Sequence, residues 1–395
     1  MLELMIKTTD KNRKIALLRD GELIEYYEEK EELDRKEGNI YIGIVKDVVK
    51  GMQSAFVDIG TEKNSFIHLE DILPKIDETK ENVYNEQIDI KNVINKNQKL
   101  LVQVKKDSNE KKGARISTHI NLPSKYIVLM PNTDIITVSQ KIEDKKEQQR
   151  LINLVKENLS EGNGAIIRTS AINKTEELIE DIKYIENKWN NIISTNIDPN
   201  ENEPKLLYKS EGIVEKMIMD LVGKGLEKIV VNDSNEYNMI NKLKQENKEY
   251  KNIQIIVKNE ETIFKIYDID KQIKRINARK IWLKCGGFIT IDKTEALTAI
   301  DVNTGKYTGK RDVNETIYKV NEEATIEITK QLRLRDIGGI IIIDYIDMKR
   351  EEDKEKISKL LQEELKDDRT KTQVEGFTKL DLMELTRKHI CSHRD

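Results

Sequence analysis

The stretch that decides the fold reads Ala296-Leu-Thr-Ala-Ile-Asp301-Val-Asn303-Thr-Gly305 and, after a long charged segment with helical spacing, Gly338-Gly339-Ile-Ile-Ile-Ile-Asp344-Tyr-Ile-Asp347. Four consecutive isoleucines predict a strand that is covered on both faces of its sheet. An aspartate directly after such a strand lies at the carboxyl end of the sheet, where open α/β sheets place their functional sites. The pattern therefore predicts a strand–helix–strand unit with an acid at the end of each strand.

The polar residues at these strand ends predict a cation site. Asp301 and Asn303 project together because residues two apart on a strand share a face. Together with Asp344, they offer the oxygen ligands that suit Mg²⁺. An aspartate after a strand is also a common cap or turn former. The repetition of the pattern within one domain leaves both interpretations open.

Composition sets broad limits on the chain. Its 395 residues are enough for about two to four domains with a sizeable core. The net charge of −4 argues neither for nor against nucleic acid, since a basic groove can exist on an acidic protein. Two cysteines cannot form a disulfide framework and indicate a reducing compartment. With no signal-peptide pattern and no apolar run long enough for a membrane span, we expect a cytoplasmic protein.

The first 120 residues have strand patterns. Asp20-Gly21 predicts a tight hairpin turn between two alternating strands. Short strands separated by Gly, Asn and Asp then favour a small closed barrel of the OB type, with the polar insert 77–97 as a loop on its rim. The barrel strands are expected at Ile40–Val49, Ser54–Ile59, Ser65–Leu69, Leu100–Lys105 and Ala114–His119. Mixed helices and strands follow, and a proline-containing loop at 197–204 marks a candidate boundary.

Aromatic and basic residues of the barrel suggest a nucleic-acid surface. Phe56 and Phe66 are two of only five phenylalanines, and both lie in predicted strands near basic residues. OB folds hold single strands by stacking bases on such rings. Ordinary core packing explains the two rings equally well at this stage. Basic clusters at 105–115 and 271–284 are typical of an RNA path but also of a solvated face.

These motifs resemble the ribonuclease E/G family of bacterial endoribonucleases. The similarity extends in order from residue 1 to about 388. The segments that carry it are Asn39-Ile-Tyr-Ile-Gly43, Ala55-Phe56-Val-Asp-Ile-Gly60, Val128-Leu-Met-Pro131, Ile167-Arg168-Thr169, Asp301-Val-Asn303, Lys330-Gln-Leu-Arg333-Leu-Arg335-Asp336 and Ile343-Asp344-Tyr-Ile-Asp347.

The resemblance implies a multidomain α+β and α/β fold. It implies an RNase H-like scaffold from residues 1–35 plus 207–272, an OB-fold RNA-binding domain at 36–119, a 5′-monophosphate sensor domain at 120–206 and a DNase I-like catalytic domain at 273–395.

Site residues are implied by the same resemblance. Asp301 and Asp344 match the aspartates that hold the catalytic Mg²⁺ (Mn²⁺ being an alternative), and Asn303 matches the Asn that supports the first of them. The implied RNA contacts are Phe56, Phe66 and Lys112. The implied 5′-phosphate sensor comprises Val128, Arg168 and Thr169.

Two departures from the family pattern affect expectations. Gln140 and Lys371 stand where the family often carries arginines, which predicts a weaker preference for a 5′-monophosphate. The Cys-Pro-x-Cys-x-Gly zinc link and the small dimerisation domain after it are not found before the chain stops at Asp395, and Cys391 with His393 is a poor substitute. We therefore expect no structural zinc and weakened oligomerisation relative to the family.

The sequence thus predicts a Mg²⁺-dependent endoribonuclease that cleaves single-stranded RNA, in processing and decay of rRNA and mRNA, to 5′-phosphate and 3′-hydroxyl products. Lys306, Lys310 and Arg311 follow Asn303 and are candidates for contacts to the substrate backbone. The alternatives are a non-catalytic RNA-binding protein derived from the same family and, with less support, a metal-dependent DNase.

Overall fold

The computed structural model describes residues 1–10, 12–30, 35–72, 89–108, 112–194, 203–246, 250–305, 313–366 and 368–390. The chain forms two compact units. One comprises residues 1–33 and 220–395, and the other comprises residues 34–219.

The strands, in chain order, are β1 Leu2–Thr8, β2 Asn12–Arg19, β3 Glu22–Lys30, β4 Ile40–Val49, β5 Ser54–Asp58, β6 Ser65–His68, β7 Lys99–Lys106, β8 Arg115–Ser117, β9 Leu122–Pro123, β10 Ile127–Pro131, β11 Ile136–Val138, β12 Asn163–Ile167, β13 Lys205–Tyr208, β14 Leu226–Val231, β15 Gln254–Val257, β16 Lys280–Trp282, β17 Phe288–Lys293, β18 Leu297–Asn303, β19 Gly339–Asp344, β20 Thr372–Phe377 and β21 Leu382–Arg387. The α-helices are α1 Lys145–Asn158, α2 Glu176–Ser194, α3 Ile213–Val222, α4 Ser234–Glu246, α5 Glu260–Ile263, α6 Ile269–Ile276, α7 Val313–Leu334 and α8 Glu351–Lys366.

The first unit contains a mixed five-stranded sheet of order β15-β14-β1-β2-β3. Strands β1 to β3 are antiparallel, whereas β14 runs parallel to both β1 and β15. Asp20 and Gly21 connect β2 to β3 with positive φ angles of 52° and 82°, as a primed hairpin turn requires. The predicted hairpin is confirmed.

The second unit contains the closed barrel that the strand pattern predicted. Strands β4, β5, β6, β8 and β7 follow one another, and β7 closes on β4. Closure leaves no free strand edge among these five strands. The barrel is consistent with the OB type.

The expectation for the polar insert of the barrel is partly wrong. Residues 77–88 lie outside the described residues, but Ile90 and Ile94 are almost fully buried in the barrel core. Ile90 begins a short 3₁₀ helix, Ile90–Asn92, and Ile94 follows two residues after that helix. The second half of the insert therefore belongs to the core and is not a rim loop.

A smaller sheet of order β11-β12-β10-β9 lies in the same unit. Helices α1 and α2 pack on it and share one apolar core with its strands. The apolar spacing of residues 144–159 and 175–193 predicts these two helices, and both are confirmed. The predicted boundary loop at 197–204 falls mostly outside the described residues.

The six-stranded sheet of the first unit has the order β16-β17-β18-β19-β21-β20. It is mixed, and its parallel pair is β18 with β19. Helix α7 connects these two strands, and α7 and α8 contribute to one apolar core with the sheet. Residues Val320, Ala324, Ile328 and Leu332 recur every fourth position and form the buried stripe of α7.

The prediction that the isoleucine strand is covered on both faces is wrong. Ile341 and Ile343 are fully buried beneath the helices, but Ile340 is 51% exposed and Ile342 is half-buried. Successive strand residues point to opposite faces. Within this unit the helices therefore cover one face of the sheet and leave the other open. We call the latter the open face.

Candidate active site

Asp301 and Asp344 lie side by side on the open face. The register of β18 and β19 pairs the two residues directly, so that their backbones are separated by one strand spacing, roughly 4.8 Å. Both side chains are exposed. The structure thus brings together the two acids that the sequence places 43 positions apart at equivalent strand ends.

Asn303 completes this group of polar residues. Its Nδ2 donates a hydrogen bond of 2.6 Å to Oδ2 of Asp301. The amide thereby holds one carboxylate oxygen of Asp301 and leaves the other available for a ligand. This arrangement is the kind of outer support that orients carboxylates at metal sites.

The charge at the site is suited to a cation. Partial burial, followed by the negative charges of Asp301 and Asp347, raises the pKa of the Asp344 carboxyl above its ordinary value. Such a shift means that the carboxylates repel one another, and a bound cation would relieve that repulsion. The described residues include no group of three or more His, Cys, Asp and Glu arranged to hold a metal. Two carboxylates nevertheless fit Mg²⁺, which keeps several waters and takes further ligands from phosphates.

Sequence reasoning did not identify Asn321, which holds the chain just after Asp344. Asn321 is fully buried on α7, donates to the carbonyl oxygen of Ile346 at 2.8 Å and accepts from the amide of Ile346 at 3.1 Å. Nearby, the hydroxyls of Thr325 and Tyr345 are 2.8 Å apart. An Asn and a Thr within the apolar stripe of a helix are the signal that would have revealed this support. Lys306, Lys310 and Arg311 lie outside the described residues.

Phe56 and Phe66 form a cross-strand pair on the barrel. Their ring centroids are 6.2 Å apart at an interplanar angle of 64°. Phe56 is 37% exposed and Phe66 is half-buried, and neither ring belongs to the barrel core of the described residues. Core packing therefore does not describe this pair.

Basic groups lie on the same barrel as the phenylalanine pair. Phe66 pairs with Arg115, and Lys112 is exposed three positions before that arginine. Arg115, which also pairs with Asp71, lines a cleft of about 390 Å³ together with Lys105 and Lys106. Rings and cations on one surface suit single-stranded nucleic acid. The individual roles of Phe56, Phe66 and Lys112 stay predictions.

Val128 and Arg168 lie on the smaller sheet. Val128 pairs with Ile166 on the neighbouring strand, and Arg168 follows two residues later, on the same face as Ile166. Nη1 of Arg168 donates to the carbonyl oxygen of Ser124 at 2.7 Å. Thr169 is exposed at the start of a short 3₁₀ helix. The structure therefore collects the three predicted sensor residues around one end of β12, and their role stays a prediction.

Comparisons with known proteins identify the family of the chain. Residues 121–390 match the model of the Ribonuclease E/G family. The chain is 38% identical to Ribonuclease G of Salmonella typhimurium (strain SL1344) over 98% of its own length and 79% of that protein. It is 36% identical to Ribonuclease G of Haemophilus influenzae (strain ATCC 51907 / DSM 11121 / KW20 / Rd), with the same coverage. It is 33% identical to Ribonuclease E of Nostoc sp. (strain PCC 7120 / SAG 25.82 / UTEX 2576) over 89% of the chain and 51% of that protein.

The fold and the site define a protein that combines a closed barrel with a paired-carboxylate sheet. This chain belongs to the Ribonuclease E/G family. In the described part of the chain, no helix is both long and apolar enough to cross a membrane.

Proposed function

We propose that this member of the family, an endoribonuclease, cleaves single-stranded RNA with the help of Mg²⁺ held by Asp301 and Asp344. The observation that carries the proposal is the direct pairing of these two carboxylates on the open face. Mn²⁺ is an alternative ion for the same oxygen ligands. The cellular role would be processing and decay of RNA, including rRNA and mRNA.

The chain's residues would divide the chemistry as follows. Asp301 and Asp344 would supply the ligand charge, and Asn303 would keep Asp301 oriented through the hydrogen bond between their side chains. The ion would supply Lewis-acid activation of a water and neutralisation of charge on the phosphate. Hydrolysis of this kind would leave a 5′-phosphate and a 3′-hydroxyl on the products.

The other compact unit would contribute to RNA binding. Phe56 and Phe66 would stack bases while Lys112 contacts the backbone, and Arg168 with Thr169 and Val128 would receive a 5′-monophosphate. Arginine suits this task because its planar fork matches phosphate oxygens.

We further propose the domain assignment given by the resemblance, with an RNase H-like scaffold (1–35 plus 207–272), an OB-fold domain (36–119), a sensor domain (120–206) and a DNase I-like catalytic domain (273–395). Cys391 and His393 lie outside the described residues.

The deciding experiment compares the unmutated chain with Asp301→Asn and Asp344→Asn. Each substitution removes one ligand charge at almost constant volume, so we expect cleavage of an A/U-rich single strand to be lost while RNA binding survives. The control is Asp292→Asn, which changes an exposed carboxylate on β17 that pairs with Arg279. EDTA should abolish cleavage, and Mg²⁺ should restore it.

The result also separates the rival functions. Robust cleavage by either variant with Mg²⁺ as the sole divalent ion would contradict the assignment of Asp301 and Asp344 as the metal ligands. RNA binding without cleavage by the unmutated chain would instead favour the non-catalytic RNA-binding protein. Cleavage of single-stranded DNA with equal efficiency would favour the DNase.

A further inference from the structure

The open face carries an aromatic pair that the proposed chemistry does not use. Trp282 on β16 is 60% exposed, although a tryptophan is a large apolar side chain. Its ring centroid is 5.3 Å from that of Phe288 on β17, at an interplanar angle of 62°. Such an edge-to-face pair is a rigid apolar surface that presents the indole to solvent.

The strand register places this pair directly beside the candidate active site. Trp282 pairs with Phe288, and Phe288 pairs with Asn303. These three residues form one row across three adjacent strands. The next row along the same face contains Thr290, Asp301 and Asp344. Phe288 is thus a diagonal neighbour of Asp301, at a backbone separation of roughly 7–8 Å.

A lysine supplies positive charge at the same place. Nζ of Lys280 is 4.2 Å from the ring centroid of Trp282 and 3.5 Å from that of Phe288. Cation–π contacts of this kind hold the rings and the ammonium group in a fixed arrangement. The surface therefore combines apolar rings with a cation, which is complementary to a base attached to a phosphate.

The backbone beneath the indole is also adapted to it. A Cβ at Gly305 would lie 3.5 Å from Cζ3 of Trp282 and only 2.5 Å from the carbonyl oxygen of Gly286. Glycine therefore permits the strand-end segment after Asn303 to approach the loop between β16 and β17. This close approach connects the aromatic pair to the strand that carries Asp301.

We propose that Trp282 and Phe288 form a stacking subsite for a nucleobase of the substrate strand, next to the scissile phosphate, with Lys280 contacting the adjoining backbone. The inference rests on the proposed function and adds a positioning element to it. Stacking on an aromatic ring is tolerant of base identity because every base has a π face. The subsite would therefore favour unpaired over paired RNA, since only an unpaired base can leave its own stack.

Fluorescence tests the subsite without requiring cleavage. The chain has two tryptophans, and Trp189 is buried away from solvent. In a Trp189→Phe background, Trp282 is therefore the sole tryptophan, and excitation that selects tryptophan over tyrosine reports on it alone. Asp301→Asn is added to prevent turnover. We expect a short uridine oligonucleotide to quench the emission, whereas a ribose-phosphate strand that lacks bases should not. Equal quenching by both strands, or quenching by neither, would overturn the inference.

Kinetics test whether the subsite serves the reaction. Trp282→Ala should raise KM for single-stranded RNA by roughly 5- to 100-fold, the effect expected for loss of one stacked base. Trp282→Phe should restore most of the lost affinity because it keeps a ring. Tyr184→Ala is the matched control, since Tyr184 is an exposed aromatic residue on α2. An unchanged KM for Trp282→Ala, or an equal loss in Trp282→Phe, would refute the subsite.

The two arms separate this inference from the proposed function. Quenching that requires bases, together with no cleavage of RNA by the unmutated chain, would support the subsite and reject the proposed function. Metal-dependent cleavage without such quenching would support the enzyme and reject the subsite.

Discussion

At the scale of single residues, Arg387 on β21 is a tightly held charge of the first unit. Its guanidinium is fully buried and donates to Asp368 at 2.7 Å and to Asp336 at 2.9 Å. Arg387 makes a second hydrogen bond to Asp368, at 3.2 Å, and one to the carbonyl oxygen of Ile337, at 2.9 Å. Arg387 therefore ties together the residues that follow α7, the segment after α8 and the last strand. A buried ion pair by itself is weak evidence of stability. The structural contribution of Arg387 is therefore that it connects these three segments.

Removing Arg387 should destabilise the protein strongly. Arg387→Ala leaves Asp336 and Asp368 buried without their cation, which costs about 3–5 kcal/mol in the free energy of unfolding. Denaturant unfolding followed by circular dichroism measures the loss. The matched control is Arg279→Ala, because Arg279 also holds an aspartate with two hydrogen bonds but is exposed. Similar midpoints for the two variants would contradict the prediction.

At the scale of elements, α7 supports the segment that follows β19. Asn321→Ala should leave both the amide and the carbonyl oxygen of Ile346 without their partner, since Asn321 pairs with both. Unsatisfied buried polar groups cost about 1–3 kcal/mol. We expect that loss in denaturant unfolding, together with a lower kcat for RNA cleavage.

A helix control tests whether the effect is specific. Asn238→Ala changes an exposed asparagine of α4 and should leave both the stability and the kcat unchanged. If Asn321→Ala had the same free energy of unfolding and the same kcat as this control, the contact between α7 and Ile346 would not contribute to stability or catalysis.

The residues at the end of β12 are predicted to recognise the 5′-monophosphate of the RNA substrate. The unmutated chain should cleave a 5′-monophosphorylated strand modestly faster than a 5′-hydroxyl strand, and Arg168→Ala should remove the difference by removing the guanidinium fork. Gln140 and Lys371 keep the expected preference small. Parallel cleavage assays on the two substrates measure it, with Arg150→Ala on α1 as the arginine control. Equal rates for the unmutated chain would mean that the sensor is inactive here.

At the scale of the whole molecule, the barrel of the second unit should contribute to RNA binding without taking part in cleavage. Phe66→Ala should weaken the affinity for single-stranded RNA by about 1–3 kcal/mol, the usual contribution of one stacked base. The kcat at saturating RNA should change little, because Asp301 and Asp344 belong to the other unit. Fluorescence anisotropy and cleavage assays give the two quantities, and a selective loss of kcat would be the contrary result.

The local pattern of the sequence determined much of the fold. Asp20-Gly21 predicted the first hairpin because few residue pairs accept two positive φ angles. The alternation of short strands predicted the barrel, and the strand–helix–strand pattern predicted that Asp301 and Asp344 would be neighbours. A crossover helix of that length joins parallel strands, which usually lie adjacent. Each of these features follows from a local residue pattern or from the connection between consecutive elements.

Only the tertiary structure decided which side chains are buried and which residues lie next to one another across strands. A run of four isoleucines has no alternation, so it cannot reveal that Ile340 and Ile342 lie on the open face. Two further features could not be predicted from the sequence: the burial of Ile90 and Ile94 in the barrel, and the pairing of Asn321 with Ile346. The same is true of the row formed by Trp282, Phe288 and Asn303. Burial and strand register depend on partners far apart along the chain, and local periodicity carries no information about which partners those are.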